Sequence, residues 1–240
     1  MAKTKKNKNA RNISLSQPRT ISHFDLRPIK PLTPNQQKTF DAYNQGHNLM
    51  LHGYAGTGKT FISLYLALKN VLTINSHYDK IIIVRSVVSS RDMGFLPGNI
   101  REKTQIFEEP YKEICDDIFG RGDGYDILKL KKLIEFTTTS FLRGLTFNNA
   151  IVIIDECQNM TFPEIDTIMT RIGNNSRVIF CGDFRQTDLN KPHEKEGITQ
   201  FMRITHRINT FKHIEFEQLD IVRSNLVRDY IIQKTEMGYA

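Results

Sequence analysis

Four short apolar runs punctuate the chain: "NLML" at 48–51, "IIIV" at 81–84, "IVII" at 151–154 and "VIFC" at 178–181. They are continuous rather than alternating, the pattern of parallel strands covered on both faces. Segments near 101–119, 161–172, 194–205 and 222–234 have helical spacing. "FISLYLALKNVL" at 61–72 is apolar almost all round, as a helix packed beneath a sheet should be. "TPNQQKTFDAYNQG" offers Thr33 as an N-cap, Pro34 at the first helical position and Gly46 just past the end of a short helix. "LIEF" at 133–136 and "HIEF" at 213–216 are candidate additional strands. The alternation predicts one α/β domain over residues 21–240 with a mostly parallel sheet.

The first strand runs into "GYAGTGKT" at 53–60, which satisfies G-x-x-x-x-G-K-[ST] between a strand and a helix, the context that motif requires. Gly53, Tyr54, Ala55, Gly56, Thr57, Gly58, Lys59, Thr60 and Phe61 are therefore the predicted nucleotide-binding run. Its glycines let backbone N–H groups approach phosphate oxygens, and the following helix adds its dipole. Lys59 reaches the β and γ phosphates, and the Thr60 hydroxyl is a Mg²⁺ ligand. The partner acid is expected at the end of a buried strand, and "IVIIDECQN" supplies it: Asp155 for the metal, with Glu156 next to it to orient and deprotonate an attacking water. "VIFCGDFRQTDL" ends the neighbouring strand, and Gln186 is the candidate γ-phosphate sensor. Gln36, in the first turn of the short helix, carries the donor and acceptor that match adenine N6 and N7. With no Asn-Lys-x-Asp pattern present, ATP is predicted over GTP.

Charge changes the picture at one end. The net charge is +7, and Lys3, Lys5, Lys6, Lys8, Arg11 and Arg19 account for all but one of it, so residues 1–20 read as a basic, disordered tail on a nearly neutral body. Such a tail suits nucleic acid or another acidic surface. No apolar run approaches the roughly 18 residues of a membrane helix. Three scattered cysteines without CxxC point to a reducing compartment, so a cytoplasmic protein with no membrane partner is expected.

Taken together, "TPNQQ", "GYAGTGKT", "VRSVVSSRDMGFLPGNIREK", "FLRGLTFNNAIVIIDECQN", "MTRIG", "GDFRQTDL" and "DIVRSNLVRDYI" resemble the PhoH family of P-loop ATPases, itself similar to the first motor domain of superfamily one helicases. The likeness runs from about Pro31 to Tyr230. It implies a RecA-like fold, ATP hydrolysis with Mg²⁺, work on RNA or single-stranded DNA, and the same roles for Gln36, Lys59, Thr60, Asp155, Glu156 and Gln186. The chain departs from the family pattern at Arg85-Ser86, where Arg-Pro is usual, and at Arg143-Gly144-Leu145-Thr146, where Arg-Gly-Arg-Thr is usual. It looks like the short, single-domain form common in bacteriophages, which brings a host-cytoplasm setting.

An arginine over the γ-phosphate contributes roughly 10³ to 10⁵ in rate. Arg223 in "DIVRSN" is the first candidate and Arg171 in "MTRIG" the second. With no second motor domain in view, a finger from a neighbouring copy would require a head-to-tail homo-oligomer, most simply a hexameric ring. Arg85, Ser86, Arg91 and Phe95, in "RSVVSSRDMGFLPG", are candidates for contact with single-stranded nucleic acid through phosphates and stacking. Two rival readings stand beside the motor: an ATP-dependent switch acting on a protein, and a small-molecule kinase.

Overall fold

The computed structural model describes residues 25–86, 100–142, 144–185 and 192–239. The elements run α1 (Pro34–Asn44), β1 (Asn48–Gly53), α2 (Lys59–Val71), β2 (Lys80–Arg85), α3 (Ile100–Phe119), α4 (Gly124–Leu130), β3 (Ile134–Thr138), β4 (Ala150–Asp155), α5 (Phe162–Met169), β5 (Arg177–Gly182), α6 (Pro192–Thr205), β6 (Phe211–Phe216) and α7 (Asn225–Glu236). The six strands form one sheet in the order β3-β2-β4-β5-β1-β6, and every pairing is parallel. All four continuous apolar runs are strands, and "LIEF" and "HIEF" are the two sheet edges. Edge strand β6 alternates buried Phe211, Ile214 and Phe216 with more exposed residues, whereas all six residues of β4 are buried.

Each face is covered. On one, α1, α2, α3 and α4 pack Tyr43, Leu64, Leu68, Tyr111, Ile118 and Leu128 against Leu49, Leu51, Ile81, Ile83, Ile151 and Ile153. On the other, α5 and α6 pack Ile165, Ile168, Ile198 and Phe201 against Met50, Ile82, Val152, Ile154 and Phe180. Successive strand residues point to opposite faces, so the odd and even members of each run feed different cores. That is why the runs carry no polar alternation.

Helix starts obey local chemistry. The Thr33 hydroxyl accepts from Gln36 N at 3.3 Å with Pro34 at the first turn. Thr161 and Glu164 form a reciprocal capping box on α5. Helix α2 starts instead from Gly58, whose φ of +83° a side-chain-bearing residue adopts only with strain, so the motif's glycine also sets the helix's entry. Parallel connections bring the last residues of four strands to one rim: Gly53, Arg85, Asp155 and Gly182. In open α/β sheets, ligands bind outside this carboxyl rim.

Candidate nucleotide site

A cavity of about 840 Å³ opens at the rim, lined on its floor by Ala55, Gly56, Thr57, Gly58, Lys59, Thr60 and Phe61. Gly53 has φ +122° and Gly56 φ +72°. The loop is held from both sides by backbone bonds: Tyr54 N donates to Phe216 O at 3.0 Å, and Val222 N donates to Gly56 O at 3.0 Å.

Lys59 is buried and turned back on its own loop. Its Nζ donates to Gly53 O at 3.0 Å, Tyr54 O at 2.7 Å and Thr57 Oγ1 at 3.3 Å. Burial lowers its pKa, and Asp183, Cys181, Glu156 and Asp155 oppose that shift.

Across the cavity the Thr60 hydroxyl donates to Asp155 Oδ1 at 2.8 Å, and the buried Tyr111 hydroxyl donates to Oδ2 at 2.9 Å. Burial and the neighbouring Glu156 raise the Asp155 pKa; the bonds from Thr60 and Tyr111 and the charge of Arg85 pull it back. Burial and the Asp155 charge likewise raise the Tyr111 phenol, which stays a donor. Glu156 sits in the left-handed region at φ +52°, and its Oε2 accepts from Gln158 Nε2 at 2.6 Å. Gln158 Oε1 in turn accepts from Asp183 N at 3.1 Å, linking the ends of β4 and β5.

Gln36 is 3% exposed and lines the same cavity. Its Oε1 accepts from Leu32 N at 2.7 Å and its Nε2 donates to Thr57 O at 3.1 Å, which ties the lead-in to the loop. A carboxamide has two protons and two lone pairs, so one of each is left for a base edge.

Arg223 lies on the cavity wall against Gly56, where a Cβ on that glycine would sit 2.8 Å from the Arg223 Cγ. Arg85 is also on the wall, its guanidinium 5.5 Å from the Phe107 ring centroid. Arg171 is not brought to the cavity; its carbonyl accepts from Phe147 N before the start of β4, at the opposite end of that strand from Asp155. Ser86, expected to meet a nucleic-acid phosphate, is 8% exposed and its hydroxyl donates to Glu164 Oε1 at 3.3 Å. Gln186, Arg91 and Phe95 lie outside the described residues.

Two contributors go beyond the residues singled out in the sequence. Gln158 lies within "DECQN", two residues past Glu156, and a polar side chain so close to two acids is the available signal. Tyr111 has none, because its partner is 44 residues away along the chain. Among the described residues no group of three or more His, Cys, Asp or Glu side chains is placed to hold a metal by itself.

The family model for "PhoH-like protein" matches residues 28–234. A PhoH-like protein of Bacillus subtilis is 32% identical over 206 residues, 85% of this chain and 63% of that protein. Protein PhoH of Escherichia coli K12 is 31% identical over 221 residues, 90% of this chain and 59% of that protein. The chain thus spans about three-fifths of the length of these relatives. Among solved structures, the large terminase of a thermophilic bacteriophage in complex with ADP has a TM-score of 0.51 at 11% identity, covering 83% of this chain and 49% of that one. That likeness concerns the fold alone, an all-parallel RecA-like P-loop sheet flanked by helices.

Proposed function

Because the chain belongs to the PhoH-like protein family and carries the site described above, we propose that it is a Mg²⁺-dependent ATPase that couples hydrolysis to RNA or single-stranded DNA. The observation that carries this reading is the 2.8 Å bond between Thr60 and Asp155, which joins the phosphate loop to an acid whose neighbour is Glu156. A hydroxyl and a carboxylate oxygen side by side are hard donors that fit Mg²⁺, a cation that completes its shell with water and substrate phosphates. Thr60 and Asp155 would hold the ion, which when bound neutralises charge on the β and γ phosphates.

The chain's own groups divide the remaining work. Lys59 exchanges its loop carbonyls for phosphate oxygens, and the α2 N-terminus offers its amides to the same anion. Glu156, braced by Gln158, orients the attacking water and takes its proton. Gln36 reads the adenine edge with its remaining proton and lone pair, and Gln186 senses the γ-phosphate. Arg223 supplies the stabilising cation from within its own subunit, a reading supported by its packing against Gly56. In this reading the finger does not require a ring. A homo-oligomer is proposed on another ground: α7 buries none of its residues and exposes Leu226 and Tyr230, with Met237 exposed at its end.

The nucleic-acid part rests on Arg85, Arg91, Phe95 and the six basic residues of the first twenty. ATP turnover measured with titrated single-stranded RNA, single-stranded DNA and buffer tests it. We expect stimulation by one strand type that weakens as salt rises. Equal rates in all three arms would contradict strand coupling and favour a protein switch docking on α7; phosphate transfer to a metabolite would favour a kinase.

A further inference from the structure

We propose that Tyr111 is a positioning residue for the metal-site acid, its hydroxyl deciding which oxygen of Asp155 is turned toward Thr60. The inference rests on the ATPase reading above and adds to it a residue from an element outside the nucleotide motifs. Asp155 has two oxygens and both are claimed: Oδ1 by Thr60 at 2.8 Å and Oδ2 by Tyr111 at 2.9 Å. With Oδ2 held, the carboxylate presents a single oxygen on the side of the phosphate loop. Asp155 would thus offer one oxygen beside Thr60 to Mg²⁺, a cation that takes few protein ligands and completes its shell with water and substrate phosphates.

Tyr111 is well placed for this work. It is 1% exposed, so its hydroxyl must be satisfied internally, and its ring is fixed against Phe136 with centroids 5.8 Å apart. One turn earlier on α3, Phe107 lies against Arg85, the residue opposite Asp155 in the β2–β4 register. The same helix puts Pro110, Glu113 and Ile114 on the cavity wall. One helix therefore touches the metal acid, the adjacent strand end and the nucleotide cavity together, and a shift of α3 would reorient the carboxylate.

Groups that orient a metal-ligating carboxylate typically govern about 10–100-fold in metal affinity. Tyr111→Phe keeps the buried ring and deletes only the donor. We expect its Mg²⁺ midpoint for ATP turnover to rise about tenfold while kcat at saturating Mg²⁺ changes little, and Mn²⁺ titrated with ADP and followed by electron paramagnetic resonance to bind about tenfold more weakly. Phe136→Leu loosens the packing of Tyr111 but keeps its hydroxyl, so it should lower thermal stability and weaken Mn²⁺ binding by much less than Tyr111→Phe does. Unchanged Mn²⁺ affinity in Tyr111→Phe, or an equal shift in Phe136→Leu, would overturn the inference. Wild type that binds neither Mn²⁺ nor ADP would overturn the ATPase reading and this inference together.

Discussion

Lys59 keeps its ammonium occupied on carbonyls that belong to its own loop, so a phosphate entering the cavity meets a donor already in place rather than one recruited from solvent. Next to the loop, His52 stacks on Phe184 at 5.1 Å, and on β6 His213 stacks on His206 at 3.6 Å. Burial lowers the His52 pKa to about 4, with Lys59, His206 and Arg185 adding to the shift and Asp183 opposing it. Burial also lowers His213 to about 4, reinforced by His206 and His52. Both stay neutral in the folded chain down to that pH, whereas unfolded histidines take up protons near about 6.5. Between those values the unfolded state binds more protons, so the stability these two histidines contribute falls as pH drops from about 6.5 to about 4, and their share levels off below. Thermal midpoints across that window should show this slope, and the double variant His52→Gln, His213→Gln should flatten it. An unaltered slope in the double variant would show that the acid sensitivity comes from other groups.

At the scale of elements, the nucleotide loop is held by a strap that follows β6. Gln218 Nε2 donates to the Tyr54 hydroxyl at 3.2 Å, Asn35 Nδ2 donates to Asp220 Oδ2 at 2.7 Å, and Val222 reaches Gly56. Helix α1, the loop and the strap thus form one assembly. It depends on Gly53, where a Cβ would lie 2.7 Å from Phe216 N and nearer still to its carbonyl oxygen, at a φ of +122°. Gly53→Ala should cost about 1–3 kcal/mol and weaken nucleotide binding, whereas Gly122→Ala, which meets nothing within 4 Å, should do neither. Chemical denaturation of the two variants side by side checks this.

These elements also mark what the sequence could disclose. Continuous apolar runs are a strong signal, and β1, β2, β4 and β5 fall on them. Helix α4 escapes such a reading: its seven residues place only Tyr125 and Leu128 as large apolar side chains in the core, too few for a period to show. The loop, Asp155 and Glu156 can be read because the strand-loop-helix order puts them at one rim. Arg171 belongs to a family-like motif yet falls at the other end of β4, since a motif carries no information about which rim it reaches. The Tyr111–Asp155 contact depends on how α3 crosses the sheet, which no local pattern encodes.

For the whole molecule, the parallel sheet does most of the work by delivering Gly53, Arg85, Asp155 and Gly182 to one rim from four separate strands. The Arg223 side chain lines the same cavity as Gln36, Lys59, Thr60, Asp155 and Glu156, so in the proposed mechanism these groups come from one chain, and the exposed apolar residues of α7 are kept for the proposed assembly. Helices of the described residues are nowhere long and apolar enough to cross a membrane. The most direct test is ATP turnover at saturating Mg²⁺ by wild type, Glu156→Gln and Arg223→Ala, alone and mixed. The account predicts that wild type cleaves ATP and that Glu156→Gln binds it yet turns over at least about 100-fold more slowly. It also predicts that Arg223→Ala is impaired and that mixing the two variants restores nothing. A wild-type protein that binds no ATP or never cleaves it, or a Glu156→Gln variant as fast as wild type, would contradict the account.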